Sequence, residues 1–106
     1  MATTKLSIET RADGSGTLVS NQTLTFGQGV TVYAIGRDDD GAFVETLAAD
    51  SWGLIDSTDG VVSGDLVPSM DNKSAVFTAA LDGSTVVNAI ATIDAVSTSA
   101  ITGVLY

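Results

Sequence analysis

Hydrophobic and polar residues alternate along several short segments of the chain, which is the pattern of a strand with one buried face. Near the start, Leu6 and Ile8 are separated by one polar residue. Two later segments continue the pattern. The first contains Leu24 and Phe26. In the second, the inward positions Val30, Val32 and Ala34 alternate with the outward positions Thr31, Tyr33 and Ile35. The alternation therefore predicts strands here, each with a defined inner face.

The second half of the chain carries the same alternation in four segments. The predicted inward positions are Ala48, Asp50, Trp52 and Leu54, then Ala75 and Phe77, then Thr85, Val87, Ala89 and Ala91, and finally Ile101, Gly103 and Leu105. A helix is the competing interpretation over 47–54 or 75–81, where alanine-rich spacing at three and four residues also fits. Strands are favoured because the 106 residues include 12 Val, 6 Ile and 14 Thr, and β-branched side chains favour strands.

Turn-forming residues separate these segments. Clusters rich in Asp, Asn and Gly occur at 13–16, 27–29, 38–41, 59–60, 70–72 and 82–83. Intervals of about a dozen residues between turns are typical of an antiparallel sandwich or barrel. The longer interval between Gly41 and Asp59 has room for two short strands or one bent strand. We therefore predict an all-β fold of about seven to nine strands, forming a single domain over residues 1–106.

The composition excludes several classes of function. Thirteen acidic against four basic residues give a net charge of −9, so a nucleic-acid backbone would be repelled. The chain has no Cys and no His, which removes disulfides, Ser/His or Cys/His nucleophile pairs and the usual zinc ligand sets. The longest uninterrupted apolar run is 32–35, far too short to span a bilayer, so no membrane insertion is predicted.

The order of several short motifs resembles that of a known family. A glycine-rich turn leads into an alternating strand over 27–34, an acidic turn follows at 37–41, and a Trp-bearing segment lies at 49–52, before further segments at 60–66, 74–79 and 83–89. In this order they resemble the bacterial immunoglobulin-like (Big-type) modules repeated in large secreted and surface proteins such as adhesins. The resemblance implies an immunoglobulin-like β-sandwich with a spacer or adhesion role, at an extracellular or cell-surface location.

The acidic run Asp38, Asp39 and Asp40 offers the hard oxygen ligands that Ca²⁺ prefers. Successive side chains of an extended segment point to opposite sides, so carbonyls, water or a second loop such as 71–72 would have to complete such a site. The alternative is a polar hairpin turn, in which Gly41 has a positive φ and the aspartates accept hydrogen bonds from the backbone. The turn is favoured, so we expect no cofactor, and Ca²⁺ is the one candidate.

Catalysis and carbohydrate binding are weaker hypotheses. Carboxylates that act as acid and base would be Asp38 with Glu45 or Asp50 with Asp56, but a small packed sandwich leaves little room for a substrate cleft, and we predict that the protein is not an enzyme. Sugar binding requires exposed rings. The alternation assigns Phe26, Trp52 and Phe77 to the interior and leaves Tyr33, Phe43 and Tyr106 as the surface rings.

The leading hypothesis is a non-catalytic structural or adhesion-associated module of a bacterial extracellular protein. Its partners would be neighbouring domains of the same chain and, for adhesion, a protein or glycan at a cell surface; the export signal is expected to lie outside this sequence. Two alternatives stay open, a self-associating filament subunit or phage decoration protein and a small carbohydrate-binding module. For a spacer, an odd number of strands that each cross the domain once would place Lys5 and Tyr106 at opposite ends.

Overall fold

The computed structural model describes residues 3–25, 27–58, 60–79, 83–93, 96–103 and 105. Within these ranges the chain forms eight β-strands and one short 3-10 helix, Ser63–Asp65. The strands are β1 (Lys5–Glu9), β2 (Gly29–Arg37), β3 (Phe43–Thr46), β4 (Ser51–Ile55), β5 (Leu66–Pro68), β6 (Ser74–Thr78), β7 (Val86–Ile93) and β8 (Val96–Ile101). In these ranges the chain has no helix that is long and apolar enough to cross a membrane.

The strands form two antiparallel sheets that pack together as a sandwich. The larger sheet has the order β1-β2-β6-β5, with β3 also paired to β2, and the smaller sheet has the order β4-β7-β8. When β3 is set aside, this is the arrangement of immunoglobulin constant-type domains, in which strands A, B, E and D form one sheet and C, F and G form the other. The predicted fold class is therefore confirmed, and the eight strands fall within the expected range.

The core lies between the two sheets and consists of the inward side chains of both. Residues that are at most 2% exposed in it include Ile8, Val32, Ala34, Ala75, Phe77, Val87 and Ala89. The alternation had assigned all of these positions to inner faces, since successive side chains of a strand point to opposite sides. Leu105 follows the last strand and is also fully buried in this cluster.

Trp52 faces the core from β4, the strand equivalent to C, on which antibody domains carry a buried Trp. Its Nε1–H donates a 2.8 Å hydrogen bond to the carbonyl of Asn72. The ring is only partly buried, whereas the sequence predicted a largely buried one. The difference arises because β4 is an edge strand, paired only with β7, so one side of the ring has no neighbouring strand.

This partial burial lowers the expected effect of removing the ring. We expect Trp52→Ala to lower the free energy of unfolding by about 2–3 kcal/mol, rather than the roughly 3–5 kcal/mol of a fully buried aromatic ring. Trp52→Phe keeps most of the apolar contact but loses the hydrogen bond to Asn72, which should cost about 1 kcal/mol. Urea denaturation gives both values. A smaller loss for alanine than for phenylalanine would contradict the inward placement of the ring.

The structure also decides the alternatives that the pattern left open. β4 and β6 occupy the segments for which a helix was the competing interpretation, so that interpretation is wrong over Ser51–Ile55 and Ser74–Thr78. The interval after Gly41 holds two short strands, β3 and β4. Ala48, Asp50 and Ile101 are exposed, although the alternation assigned all three to inner faces.

The predicted strand around Leu24 is wrong, because no strand in the described ranges includes this residue; Phe26 lies outside them. The preceding residues instead pass from one sheet to the other. Val19 donates its N–H to Ile8 of β1 and accepts a 2.8 Å hydrogen bond from the N–H of Gly103, beyond β8. A segment that crosses between sheets forms only single hydrogen bonds to each of them and no continuous pairing with one strand. The local alternation therefore does not produce a strand there.

The chain enters the described domain at one end and approaches its last residues at the other. At the first end, Thr4 donates its N–H to the carbonyl of Arg37, the last residue of β2. Leu105 exchanges two hydrogen bonds with Thr85, and the neighbouring Ser84 accepts from the N–H of Thr58. After Thr58 the chain continues toward β5. β5 pairs with β6, and β6 pairs with the beginning of β2, so Leu105 lies near that end of the larger sheet. Lys5 and Leu105 thus lie toward opposite ends of a body measuring 42 × 25 × 22 Å; Tyr106 is outside the described residues.

Candidate functional site

The acidic run after β2 forms a tight turn. Asp38 is 3% exposed, and its Oδ1 accepts hydrogen bonds from the N–H groups of Asp40 and Ala42 at 2.9 and 3.0 Å. Its own N–H and carbonyl also bond within the turn. Gly41 has a φ of 84°, a conformation that glycine adopts without strain. The turn hypothesis predicted both the positive φ and the capping carboxylate, and both are present.

The remaining acids of the run do not converge on a shared point with other carboxylates. Asp39 and Asp40 are exposed, and Asp39 Oδ1 accepts a 2.7 Å hydrogen bond from the hydroxyl of Thr4. The second loop suggested for a Ca²⁺ site has its own contacts, since Asp71 Oδ1 accepts from Ser69 and from the N–H of Lys73. Among the described residues, no three carboxylates come close enough together to hold a metal ion.

We expect Ca²⁺ to have no specific effect on stability. Millimolar CaCl₂ should raise the melting temperature no more than MgCl₂ of equal ionic strength, because both screen the repulsion within a chain of net charge −9. Differential scanning calorimetry measures the shift. If CaCl₂ alone stabilised the protein, and if Asp39→Asn removed the effect, the acidic turn would bind Ca²⁺.

A partly buried ion pair stands next to this turn. Arg37 Nε and Nη2 donate to Oε2 and Oε1 of Glu9 at 2.8 and 2.7 Å, and Glu9 also accepts from the hydroxyl of Ser7. The guanidinium further donates to the carbonyl of Gly41 at 2.9 Å and to that of Gly14 at 3.1 Å. These charge-assisted hydrogen bonds tie β1 and β2 to the turns at Gly14 and Gly41. The Glu9 side chain is 3% exposed and the Arg37 side chain 21%.

Glu9 is buried because residues 10–17 fold back over the outer face of the larger sheet. Thr46, opposite Ile35 in the sheet, donates its hydroxyl to the carbonyl of Ala12 at 2.6 Å. Gly14 has a φ of 82°, and a Cβ at this position would lie 2.5 Å from Cγ of Phe43, so the loop packs directly on that ring. Beneath this cover Ile35 is fully buried, although the alternation assigned it to the outward face.

The pair changes the acid–base properties of both residues. The hydrogen bonds from Arg37 hold the pKa of Glu9 below its ordinary value; burial acts in the opposite direction, and the Ser7 hydroxyl lowers the pKa further. The same contact with Glu9 raises the pKa of Arg37. Both groups therefore keep their charges near neutral pH.

This depressed pKa makes part of the stability depend on pH. A carboxyl whose pKa is lower in the folded than in the unfolded state stabilises the fold. This stabilisation is fully present above the pKa of the unfolded state, 4.5, and is lost as the pH falls through the pKa of the folded state. We expect wild type to be more stable than Glu9→Gln by a constant margin near neutral pH, and the margin should shrink below about pH 5. Urea denaturation of both proteins across pH measures it. A margin that grows in acid would contradict this assignment.

An open cleft of about 470 Å³ adjoins the ion pair. It is lined by Lys5, Leu6, Ser7, Glu9, Gly16, Thr17, Leu18 and Arg37. Within this lining, Ser7 and Arg37 already bond to Glu9, and Lys5 Nζ donates at 3.4 Å to the carbonyl of Asp39. Ser7 donates to the Glu9 carboxylate, but the hydrogen bonds from Arg37 lower the pKa of Glu9 and make it a weak general base. We therefore expect these groups to hold β1 and the two turns together.

The two carboxylate pairs considered for catalysis do not form. Asp50 and Asp56 flank β4 at its two ends, about 20 Å apart at roughly 3.3 Å per residue, whereas glycosidases hold their carboxyls about 5–9.5 Å apart. Asp38 is buried in its turn, and Glu45 accepts a 2.6 Å hydrogen bond from the hydroxyl of Thr3. The absence of enzymatic activity stays a prediction.

The described aromatic rings are dispersed. Phe77 is buried as predicted, while Phe43 is 39% exposed and rests on Gly14. Tyr33 is half-buried on the outer face of β2, opposite Glu9 and Ser74. Phe43 stands opposite Arg37, about 13 Å along β2 from Tyr33, so the two rings do not form a stacking surface. Phe26 and Tyr106 lie outside the described residues.

The hydrophobic and polar pattern did not single out Glu9. The available signal was weak: Arg37 is one of four basic residues and directly follows the most apolar segment of the chain. A cation in that position often pairs with a buried carboxylate, but its partner is 28 residues away. Only the pairing of β1 with β2 and the fold of residues 10–17 bring the two together.

The chain matches no family model, no curated protein and no solved structure. The similarity to bacterial immunoglobulin-like modules therefore stays a hypothesis that is supported by the sheet arrangement alone.

Proposed function

We propose that this protein is a non-catalytic structural module with an immunoglobulin-like fold, which acts as a stiff element between its neighbours. The observation that carries the proposal is the position of the chain at the two ends of the long axis, with Lys5 toward one end and Leu105 toward the other. A module that is entered and left at opposite ends can be joined in series without the chain doubling back.

Anchoring at both ends supports this function. Thr3 and Thr4 bond to Glu45 and Asp39 through their hydroxyls, and Thr4 also bonds to β2 through its N–H. At the other end, Leu105 is fully buried and bonded to Thr85. Chain segments that are bonded to the fold at both ends leave little freedom there, which favours a semi-rigid rod when modules are joined in series.

The described surface suits a spacer. In the cleft, Ser7 and Arg37 are hydrogen-bonded to Glu9, the described rings are dispersed, and the net charge of −9 favours solubility. We extend the proposal to an extracellular or cell-surface setting because of the resemblance to bacterial immunoglobulin-like modules. Neighbouring domains of the same chain would then be the principal partners.

Two copies of the chain joined head to tail test this function. Small-angle X-ray scattering should give a maximum dimension close to twice 42 Å, because the copies would follow one another along the long axis. The matched control joins the same copies through about 20 Gly and Ser residues, which behave as a flexible coil. A distance distribution as broad as that of the flexible control, or a compact one, would contradict the proposal.

The carbohydrate-binding alternative makes a different prediction. Binding to a glycan array that Tyr33→Ala or Phe43→Ala abolished would replace the structural function with glycan recognition, because these are the described rings with outward exposure. A structural module should bind none of the glycans above background.

A further inference from the structure

The side of β4 that faces away from β7 carries backbone hydrogen-bonding groups. Thr102 donates its N–H to the carbonyl of Val87 at 2.9 Å, so the backbone groups of Val87 face β8. Leu54 lies opposite Val87 in the register, and opposite residues of an antiparallel pair exchange both hydrogen bonds or neither. The N–H and C=O of Leu54 therefore point away from β7, and those of Trp52, two residues earlier, point the same way.

The backbone groups of Trp52 and Leu54 on this side have no hydrogen-bond partner in the part of the chain that the structure describes. Among the described strands, β5 at the neighbouring edge of the larger sheet pairs with β6 alone. Asn72 approaches the start of β4, where its carbonyl accepts from Trp52 Nε1 and from the N–H of Ala49. A Cβ at Gly53 would have no neighbour within 4 Å. The edge can therefore accept and donate hydrogen bonds to an added strand.

The inward side chains at this edge are incompletely covered. Trp52 and Leu54 pack against the core, yet both are only partly buried. A strand that paired with β4 would place inward side chains directly beside these two, because opposite residues of paired strands lie on the same face of a sheet. Apolar residues at those two positions of the added strand would remove more of Trp52 and Leu54 from water, which is favourable.

The charges around β4 favour a basic partner. Between Arg37 and Lys73 the sequence has nine acidic residues and no basic one. Asp50 and Asp56 flank β4 directly, both are exposed, and they lie about 20 Å apart along the strand. An extended segment of about seven residues has the same length. Basic side chains at its two ends would meet opposite charges, whereas a second copy of β4 would bring two further aspartates and be repelled.

We propose that the free side of β4 binds an extended segment of another protein, which pairs antiparallel with β4 as a fourth strand of the smaller sheet. Hydrogen bonds to the N–H and C=O groups of Trp52 and Leu54 fix the register of this segment. Its residues opposite those two are apolar, and a basic residue at each end meets Asp50 or Asp56. Because β4 is a lateral edge, binding there leaves the ends of the long axis available and goes beyond the proposed spacer function.

A synthetic peptide tests the proposal, and Trp52 reports its binding because the chain has one Trp. The probe has about seven residues, with lysine at both ends, valine at the third and fifth positions and threonine elsewhere. In about 0.05 M NaCl we expect it to shift the Trp52 emission to shorter wavelengths, because the added strand covers the ring, with a dissociation constant of about 0.1 mM or less.

Two control peptides separate the charge from the strand pairing. One has glutamate in place of both lysines, and the other has proline in place of the first valine, which keeps an apolar residue but removes an N–H. Each control should bind at least about tenfold more weakly than the probe.

A matched pair of double variants tests the position of the site. Asp50→Asn with Asp56→Asn removes both charges beside β4; asparagine can still accept from the Thr92 hydroxyl and tolerates the φ of 53° at position 56. Asp39→Asn with Asp40→Asn removes the same charge from the turn after β2. The first pair should raise the dissociation constant of the probe at least about fivefold, and the second less than about twofold. Circular dichroism first establishes that both are folded, and Asp56→Asn alone replaces the first pair if it is not.

Several results would overturn the proposal. One is the absence of binding up to about 1 mM probe, both in the Trp52 emission and in isothermal titration calorimetry. Binding of either control peptide as tightly as the probe is another, because charge or strand pairing would then not select the partner. Equal effects of the two double variants would indicate attraction to the acidic surface in general. The scattering test of the spacer function is independent of all these measurements.

Discussion

Replacing Phe77 with alanine should lower the free energy of unfolding by about 3–5 kcal/mol, the range for a fully buried aromatic ring. Phe77 is 2% exposed on β6, opposite Val30 of β2 and Leu66 of β5. Its removal exposes little new surface to water but leaves a cavity between the sheets that their backbones cannot close. Urea denaturation at neutral pH measures the loss as a lower midpoint with an unchanged slope.

Phe43→Ala is the matched control, since it removes the same ring from the outer side of the larger sheet. Phe43 is 39% exposed and its described contact is with a loop, so we expect a loss of roughly 1 kcal/mol. Comparable losses for the two variants would mean that the core does not lie between the sheets as described.

The second large effect is expected at Glu9. Glu9→Ala leaves the guanidinium of Arg37 without its carboxylate while its other hydrogen bonds still hold it against the sheet. Loss of one partner of a buried pair typically costs about 3–5 kcal/mol. The Arg37 side chain is 21% exposed, so water can solvate part of the unpaired guanidinium and reduce this cost. We therefore expect the free energy of unfolding to fall by about 2–3 kcal/mol.

A double-mutant cycle separates the ion pair from other effects of the substitution. With Arg37→Ala as the second change, the coupling energy should be about 1–3 kcal/mol, because both side chains act on the same contact. Glu45→Ala removes an exposed carboxylate from the same sheet and should change stability by less than about 0.5 kcal/mol. Additive effects of Glu9→Ala and Arg37→Ala would show that the pair contributes nothing of its own.

The sequence by itself determined the local geometry of this protein. Alternation identified the inward positions of β2, β6 and β7, such as Val32, Phe77 and Ala89, because a strand repeats every two residues whatever it packs against. The turn at Gly41 was also predictable, since a run of aspartates before glycine favours backbone capping and a positive φ. The number of strands followed from the spacing of such turns.

The tertiary structure alone decided what lies above each face and beside each edge. Ile35 and Glu9 point outward from their strands, yet both are buried because residues 10–17 cross the sheet over them. Trp52 points inward, yet it is only partly buried because β4 has a neighbour on one side only. Periodicity records which way a side chain points, whereas its burial depends on segments distant in sequence.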